Sequence, residues 1–198
     1  MNHPLRCRCG ILRGTVSHPE KVSRGVCYCK DCQAFAHFLG ATGDILDEMG
    51  GTDVMATLPK YVTFTQGLET LACMSLTETG MLRWYSRCCN TPIGNTPRDF
   101  KTSHVGLVHT CLADSPKTLD DSFGPVRMRV NTKSAKGKPK IMPVSTVTSI
   151  LRFLSSLIHA RLDGSYRTTP FFATDRGTPV VSPTVLTTSE RQRVMNAV

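Results

Sequence analysis

The chain has 198 residues, nine cysteines and a formal charge of +9 at pH 7. This length suffices for one principal core with a smaller appendage. The N-terminal residues lack the apolar stretch of a secretory signal, and no run approaches the roughly eighteen apolar residues that span a membrane, so we expect a cytoplasmic protein without membrane contact. Cytoplasmic thiols stay reduced, and clustered ones bind metal more often than they form disulfides.

The first part of the chain consists of short apolar or alternating runs separated by turn residues, which predicts a mainly β fold. A short helical or irregular segment is expected at 33–39. The alternating runs on either side of Gly67 predict a β-hairpin. The predicted strands lie at residues 6–9, 11–16, 22–28, 54–57, 61–65, 68–76, 81–86 and 104–111.

Residues 127–140 carry six cations and no acidic residue, and Gly137 and Pro139 interrupt any regular element there, so we expect a flexible basic segment. Stacking aromatic side chains are missing from it, and we therefore do not expect nucleic-acid binding. A solvated loop and a surface that attracts a small anionic substrate both remain open. The six cations are Arg127, Arg129, Lys133, Lys136, Lys138 and Lys140.

Residues 145–163 predict an amphipathic helix, because apolar side chains recur there at three- and four-residue intervals. Ser145 is a suitable N-cap and Gly164 a suitable stop. We expect the apolar stripe to pack on the sheet rather than on a membrane, since arginines and serines complete the other face. The residues after this helix are expected to be extended segments draped over the domain. The stripe consists of Val147, Ile150, Leu151, Leu154, Leu157, Ile158 and Leu162.

The first cysteine pair, Cys7 and Cys9, has the spacing of half a zinc site. Residues i and i+2 of a strand point to the same face, so both sulfurs can reach one ion. A closed structural site needs four ligands, and the adjacent Cys88 and Cys89 near a turn are the obvious further donors. Neighbouring side chains of a strand diverge, so both can reach one ion only if the backbone bends there.

The second group, Cys27, Cys29 and Cys32, offers three ligands without a clear local fourth. Three protein ligands with one open position are typical of catalytic zinc, which can stabilise an incoming thiolate or polarise a carbonyl. Together these two tasks describe the addition of a thiol to an aldehyde. Beyond the metal ligands we assign no catalytic residue, and His104 and His109 are given no role, because lone histidines are usually ordinary surface or core groups.

Three segments in this order resemble the glutathione-dependent formaldehyde-activating enzyme (GFA) family, which includes the centromere protein V group. The resemblance extends over about residues 5–112 and is closest to a bacterial branch of that family. Its three-part order is more specific than any single Cys-x-Cys pair. The segments are Cys-Arg-Cys-Gly at 7–10, Cys-Tyr-Cys-Lys-Asp-Cys-Gln at 27–33 and Arg-Trp-Tyr-Ser-Arg-Cys-Cys-Asn-Thr-Pro at 83–92.

The resemblance implies a β-tent of small antiparallel sheets around zinc (Zn2+), followed here by the amphipathic helix. It also implies carbon–sulfur bond chemistry that joins glutathione and formaldehyde, so a small thiol such as glutathione is the expected partner. Structural zinc would be held by the first pair and a later one, and a second zinc by the triplet. The implied ligands are Cys7, Cys9 and Cys89 for the first ion, and Cys27, Cys29 and Cys32 for the second.

The sequence departs from the family where Ser86 occupies the position of an expected cysteine. Either Cys88 replaces it from a shifted position, or the structural site is weakened. Two functions follow: a carbon–sulfur lyase acting on a thiol–aldehyde adduct, or a zinc-stabilised interaction module without turnover. The expected organisation is a zinc-binding β domain at 1–112, a basic linker or loop at 113–144, and a helix and tail at 145–198 that pack on the same domain.

Overall fold

The computed structural model describes residues 2–112 and 116–198, and over these residues the chain is mainly β, as the sequence predicts. The strands are β1 Asn2–Arg6, β2 Arg13–Ser17, β3 Ser23–Cys27, β4 Thr52–Thr57, β5 Val62–Gln66, β6 Leu71–Ser75, β7 Leu82–Ser86, β8 Thr91–Thr96, β9 Val105–Val108, β10 Met128–Val130, β11 Phe172–Ala173, β12 Thr178–Pro179 and β13 Thr184–Val185. The α-helices are α1 Lys30–Leu39, α2 Thr42–Ile45, α3 Pro116–Phe123, α4 Pro143–Leu162 and α5 Thr188–Asn196. Short 3-10 helices lie at Pro19–Lys21, Pro59–Tyr61, Leu68–Thr70, His109–Cys111, Thr132–Ser134 and Ser165–Arg167.

Two sheets form the body of the fold. The smaller has the antiparallel order β1-β2-β5, and the larger has the order β10-β3-β4-β9-β8-β7-β6-β13. The edge strands β10 and β13 of the larger sheet pair in parallel with β3 and β6, whereas its inner pairs are antiparallel. Strands β11 and β12 form a separate two-stranded ribbon.

The predicted hairpin around Gly67 is wrong, although both of its strands exist. Strand β5 pairs with β2 in the smaller sheet, and β6 pairs with β7 in the larger one. Gly67 has a left-handed φ of 73° and lies against backbone, because a Cβ there would be 2.3 Å from the carbonyl oxygen of Ile11. This crowded turn, continued by the 3-10 helix Leu68–Thr70, leads the chain from one sheet into the other.

The main core includes aromatic residues from the C-terminal tail. Phe171 is fully buried, and its ring centroid lies 5.2 Å from that of Trp84 and 5.6 Å from that of Phe64. The tail is therefore anchored in the core rather than draped over it. Cys73 and Cys111 lie in the same core as small apolar side chains, and burial raises the pKa of Cys73 to about 12.

Helix α5 lies within the tail that was expected to be extended. Thr187 and Glu190 form a capping box in which each side chain bonds the backbone of the other residue. The helix packs against α1, and its Val194 is buried in a second apolar cluster. The Thr-x-x-Glu spacing at 187–190 was the sequence signal for this helix.

Most of the apolar stripe of α4 is exposed, so the prediction that the stripe packs on the sheet is wrong for most of its members; Ile150 and Leu154 line a cavity beside the larger sheet. Leu151 is 61 % exposed, Ile158 59 % and Leu162 81 %. The buried residues of this helix are the small Ser149 and Ala160, which allow the helix to lie close on that side. Within residues 2–112 and 116–198, no helix has both the length and the apolarity needed to cross a bilayer.

Part of the basic segment is regular structure. Residues Met128–Val130 form β10 beside β3, and the amide N–H of Lys136 donates to the carbonyl oxygen of Met49 at 2.9 Å. Gly25 permits this pairing, because a Cβ there would be 2.4 Å from Cγ of Met128. The pairing brings the residue after β10, Asn131, to the end of β3.

Candidate metal centres

A four-cysteine cluster joins the loop after β1 to the turn between β7 and β8. Its Sγ atoms all lie within 4.8 Å of one another, and the distances between hydrogen-bonded pairs run from 3.1 Å to 3.8 Å. A tetrahedron with Zn–S bonds of about 2.3 Å has edges of about 3.8 Å, so this donor set fits one zinc ion. The members are Cys7, Cys9, Cys88 and Cys89.

The bend required for adjacent cysteines is present at Cys88 and Cys89. Both lie in the turn after β7, and Asn90 follows with a left-handed φ of 53°. Cys89 Sγ lies 3.1 Å from Oγ1 of Thr91. The structure therefore brings both cysteines to the same cluster, which the sequence alone left open.

Ser86 lies beside this cluster but outside its sulfur set. Its Oγ is 3.0 Å from Sγ of Cys88, so the hydroxyl contacts the cysteine that occupies the fourth corner. Burial raises the pKa of the Cys89 thiol, but hydrogen bonds from Thr91 and Cys9 outweigh this effect and bring the pKa to about 6. The cluster thus favours thiolate at one of its corners.

The cysteine triplet consists of Cys27, Cys29 and Cys32, whose Sγ atoms lie within 4.8 Å of one another. Cys27 ends β3, Cys29 is the N-cap of α1, and Cys32 lies in the first turn of that helix. The backbone N–H of Cys32 donates to Sγ of Cys29 at 3.4 Å. A helix N-terminus favours negative charge, so this position supports thiolates as soft metal ligands.

Two side chains from distant segments contact the triplet. Asn131 donates from Nδ2 to Sγ of Cys27 at 3.3 Å, and Arg83 places Nη1 3.9 Å from Sγ of Cys32. The sequence pattern predicted neither contact. Arg83 is unusual as a charged residue between Leu82 and Trp84, but nothing in the local sequence connects Arg83 with Cys32 or Asn131 with Cys27.

The side chain of Arg83 is 3 % exposed and is held by several partners. It donates to Oδ1 of Asn95 at 3.1 Å, and its Nη2 lies 3.7 Å from a carboxylate oxygen of Asp31. The guanidinium carbon lies 5.5 Å from the ring centroid of Phe35. Arg83 is therefore a fixed positive charge beside the sulfurs.

Hydrogen bonding within the triplet favours the thiolate form of Cys27. Hydrogen bonds from the thiols of Cys29 and Cys32 are the main cause that lowers the pKa of Cys27, and Asn131 adds to the effect. Hydrogen bonds with Cys27 and Cys29 raise the pKa of Cys32 well above its ordinary value. A divalent cation would stabilise the thiolate form of all three.

A cavity of about 360 Å³ opens beside the triplet, between the larger sheet and α4. Most of its lining is apolar. Within the described part of the chain, no fourth histidine, cysteine or carboxylate ligand atom joins the triplet's cluster. The lining residues are Gly25, Cys27, Cys29, Asp31, Cys32, Val54, Ala56, Met81, Arg83, Asn95, His104, Gly106, Met128, Val130, Asn131, Ile150, Phe153 and Leu154.

His104, to which the sequence gave no role, lines this cavity. Its ring is 4.9 Å from that of Phe153, and among the described residues its buried Nδ1 has no hydrogen-bond partner. Burial lowers the pKa of His104 to about 4, so the imidazole is neutral at pH 7. His109 lies elsewhere, with Nδ1 3.4 Å from the carbonyl oxygen of Asp53.

The fold and these two clusters define a cysteine-rich, mainly β protein that can hold metal at two centres. A family model described as "Family of unknown function (DUF6151)" matches residues 1–182, so the chain belongs to this family. No curated protein shows a significant match to the chain.

Proposed function

We propose that this chain is a zinc-binding, GFA-like protein that catalyses carbon–sulfur bond chemistry at the cysteine triplet. The four-cysteine cluster holds a structural ion in this proposal, because its donor set is complete. The supporting observation for activity is that the triplet supplies three sulfurs and borders a cavity of about 360 Å³. A ligand can therefore reach the position that the protein does not fill.

Zinc at the triplet would act as a Lewis acid for a thiolate or a carbonyl oxygen. The chain itself contributes orientation and an apolar surface. Asn131 and Arg83 orient the sulfurs, and apolar side chains line most of the cavity beside them. Neutral His104 offers a hydrogen bond to the oxygen of an adduct.

The proposed reaction is the reversible cleavage of a thiohemiacetal into a thiol and an aldehyde. In the cleavage direction the carbon–sulfur bond breaks, the hydroxyl carbon becomes a carbonyl, and the hydroxyl proton passes to sulfur. No oxidant or reductant is needed. In the opposite direction the thiol adds to the aldehyde, and the carbonyl oxygen takes the proton.

Metal analysis of purified variants tests this proposal. We expect two equivalents of zinc in the unmodified protein and one in the triple variant Cys27→Ser/Cys29→Ser/Cys32→Ser. The variant Cys73→Ala, altered in a core cysteine, is the control and should keep two. The triple variant should also lose thiol–aldehyde turnover, and an unchanged zinc content in it would overturn the proposal.

The outward stripe of α4 favours a second candidate function, a zinc-stabilised interaction module without turnover. Its exposed aliphatic side chains have the spacing of a helix face that binds a partner. In that case both ions would be structural. If a metal is bound at the triplet but neither an added thiol nor an added aldehyde binds to it, this result would support the interaction module and contradict the lyase function.

A further inference from the structure

We propose that the ligand of the triplet cavity is a thiol, or its aldehyde adduct, whose body is uncharged and apolar. This inference rests on the proposed function, since it names the substrate class of the same site. It departs from the glutathione and formaldehyde that the sequence resemblance implies.

The walls of the cavity are largely apolar and favour an apolar ligand. Strands β4 and β10 contribute aliphatic and thioether side chains, and α4 contributes a second apolar wall opposite them. Such a surface favours ligands that leave water with an apolar part, at about 25 cal/mol per Å² buried. The apolar lining comprises Val54, Ala56, Met81, Met128, Val130, Ile150, Phe153 and Leu154.

The cavity has room for much more than a one-carbon group. Its volume of about 360 Å³ lies within the range of pockets for drug-sized ligands, which begins near 300 Å³. A water-sized molecule takes about 30 Å³, so a formaldehyde unit would fill roughly a tenth of the space. The remaining volume accommodates a larger ligand body.

The charges of the lining do not match a peptide thiol. A glutathione-type body carries two carboxylates and an ammonium group, and each needs a partner when it leaves water. The cation of the lining is Arg83, which already contacts Asn95, Asp31 and Cys32. His104 adds a neutral hydrogen-bonding group rather than a charge. An uncharged body therefore fits this cavity better than a peptide.

Binding of a thiol series to cobalt-loaded protein tests the inference, because cobalt–thiolate absorbance reports ligands at the metal. We expect the affinity to rise about fourfold per methylene from ethanethiol through butanethiol to hexanethiol, which corresponds to about 0.8 kcal/mol per buried CH₂. Glutathione should bind at least tenfold more weakly than hexanethiol. Equal affinity along the series, or glutathione binding as tightly as hexanethiol, would overturn the inference and leave the proposed function standing.

Two substitutions in α4 test whether this cavity causes the rise in thiol affinity with chain length. Leu154 lines the cavity and Leu151 does not, although both lie on the same helix and are partly exposed. Leu154→Glu should remove most of the gain with chain length, whereas Leu151→Glu should keep it. An equal response of both variants would contradict the assigned cavity. A spectrum that no thiol changes would overturn the proposed function itself, and the inference with it.

A different observation, the outward stripe of α4, supports a second inference. We infer that α4 and the basic segment before it bind the surface of an anionic phospholipid membrane. Five exposed apolar side chains of α4 that do not line the triplet cavity are each between 55 % and 81 % exposed. We call this set the outer face of α4: Val144, Val147, Leu151, Ile158 and Leu162.

The positive charge around the exposed apolar face of α4 indicates which partner binds there. Residues 122–162 contain eight lysines and arginines and no acidic residue. An apolar helix face beside exposed lysines is the pattern of helices that lie in the interface of an anionic bilayer. A second copy of the chain would bring the same cations together, and their repulsion disfavours dimerisation through this face. The exposed lysines are Lys133, Lys136, Lys138 and Lys140.

Co-sedimentation with vesicles tests this surface. We expect binding to phosphatidylcholine vesicles that contain phosphatidylglycerol, and little binding to phosphatidylcholine alone. Replacing lysines 133, 136 and 138 by glutamine should weaken binding about fivefold per residue, at about 1 kcal/mol each. Leu151→Glu/Ile158→Glu should abolish it. Arg191→Gln/Arg193→Gln on α5 and Val180→Glu in the tail are matched controls that should leave it unchanged.

Three results would overturn the membrane inference. The first is the absence of binding to anionic vesicles, and the second is equal binding to neutral ones. The third is a dimer in sedimentation velocity that Leu151→Glu/Ile158→Glu converts to a monomer, since this would assign the face to a second copy of the chain.

Discussion

Asn131 donates a hydrogen bond to Sγ of Cys27 across 104 residues of sequence, at a distance of 3.3 Å. The bond depends on the parallel pairing of β10 with β3, in which Val130 lies opposite Cys27. Asn131 has a left-handed φ of 56°, so glycine can replace it without backbone strain. Asn131→Gly therefore removes the side-chain amide and leaves the pairing of β10 with β3 intact.

We expect Asn131→Gly to lower the zinc affinity of the triplet by about tenfold, because residues that orient metal ligands contribute about 10- to 100-fold. Competition with a chelator measures this affinity. The control is Asn90→Gly, which removes another left-handed asparagine beside the four-cysteine cluster. Unchanged affinity in Asn131→Gly would show that the amide does not act on the metal ligands.

Replacement of Arg83 should destabilise the protein as well as the triplet. Arg83→Met leaves Oδ1 of Asn95 without its donor and removes the charge near Cys32. An unsatisfied buried group costs about 1–3 kcal/mol, so the free energy of unfolding should fall by about that amount in urea titrations. Arg176→Met, at a 74 % exposed side chain, should change it by less than about 0.5 kcal/mol. Equal stabilities of the two variants would contradict this role.

Acid should destabilise the fold through His104. Its pKa falls from 6.5 to about 4 on burial, so the unfolded chain takes up a proton below about pH 6.5 while the folded chain remains neutral there. The free energy of unfolding therefore decreases between pH 6.5 and 4 by about 1.4 kcal/mol per pH unit, or about 3 kcal/mol in total. His104→Phe should lack this contribution. The measurement is the difference between the two proteins' unfolding free energies at each pH, and a constant difference would refute it.

Truncation of Phe171 tests the anchoring of the tail in the core. Phe171 is fully buried against Trp84, and the loss of a buried phenylalanine side chain costs about 3–5 kcal/mol. Phe171→Ala should lower the free energy of unfolding by this amount and change the fluorescence of Trp84. Val180→Ala, at a 44 % exposed side chain in the same tail, is the control and should have little effect.

The sequence indicated candidate members of both cysteine clusters, but only the triplet has local spacing. Cys27, Cys29 and Cys32 converge through a strand end and one helical turn, which short-range geometry dictates. The other cluster joins segments 79 to 81 residues apart, so whether both Cys88 and Cys89 belong to it stayed open in the sequence. The structure gathers the seven sulfurs into two clusters, and metal binding by them stays a prediction. The mainly β class was also predictable from the short, turn-separated runs.

The surroundings of the triplet were not predictable, because they come from distant strand pairings. Asn131 reaches the triplet from the position after β10 and Arg83 from β7, and no local pattern encodes these contacts. The strands beside Gly67 were recognised, but strand pairing depends on which sheet has a free edge. The stripe of α4 was recognised too, but periodicity identifies a face without showing what lies against it.

The clustered cysteines of the chain are synthesised before the walls of the triplet cavity. All seven clustered sulfurs lie within the first 89 residues to be synthesised, whereas β10 and the wall formed by α4 come from residues 128–154. A chain that ended at residue 112 would keep every sulfur donor and lose one side of the cavity. The sulfur donors of a nascent chain are therefore made before the compartment beside the triplet can form.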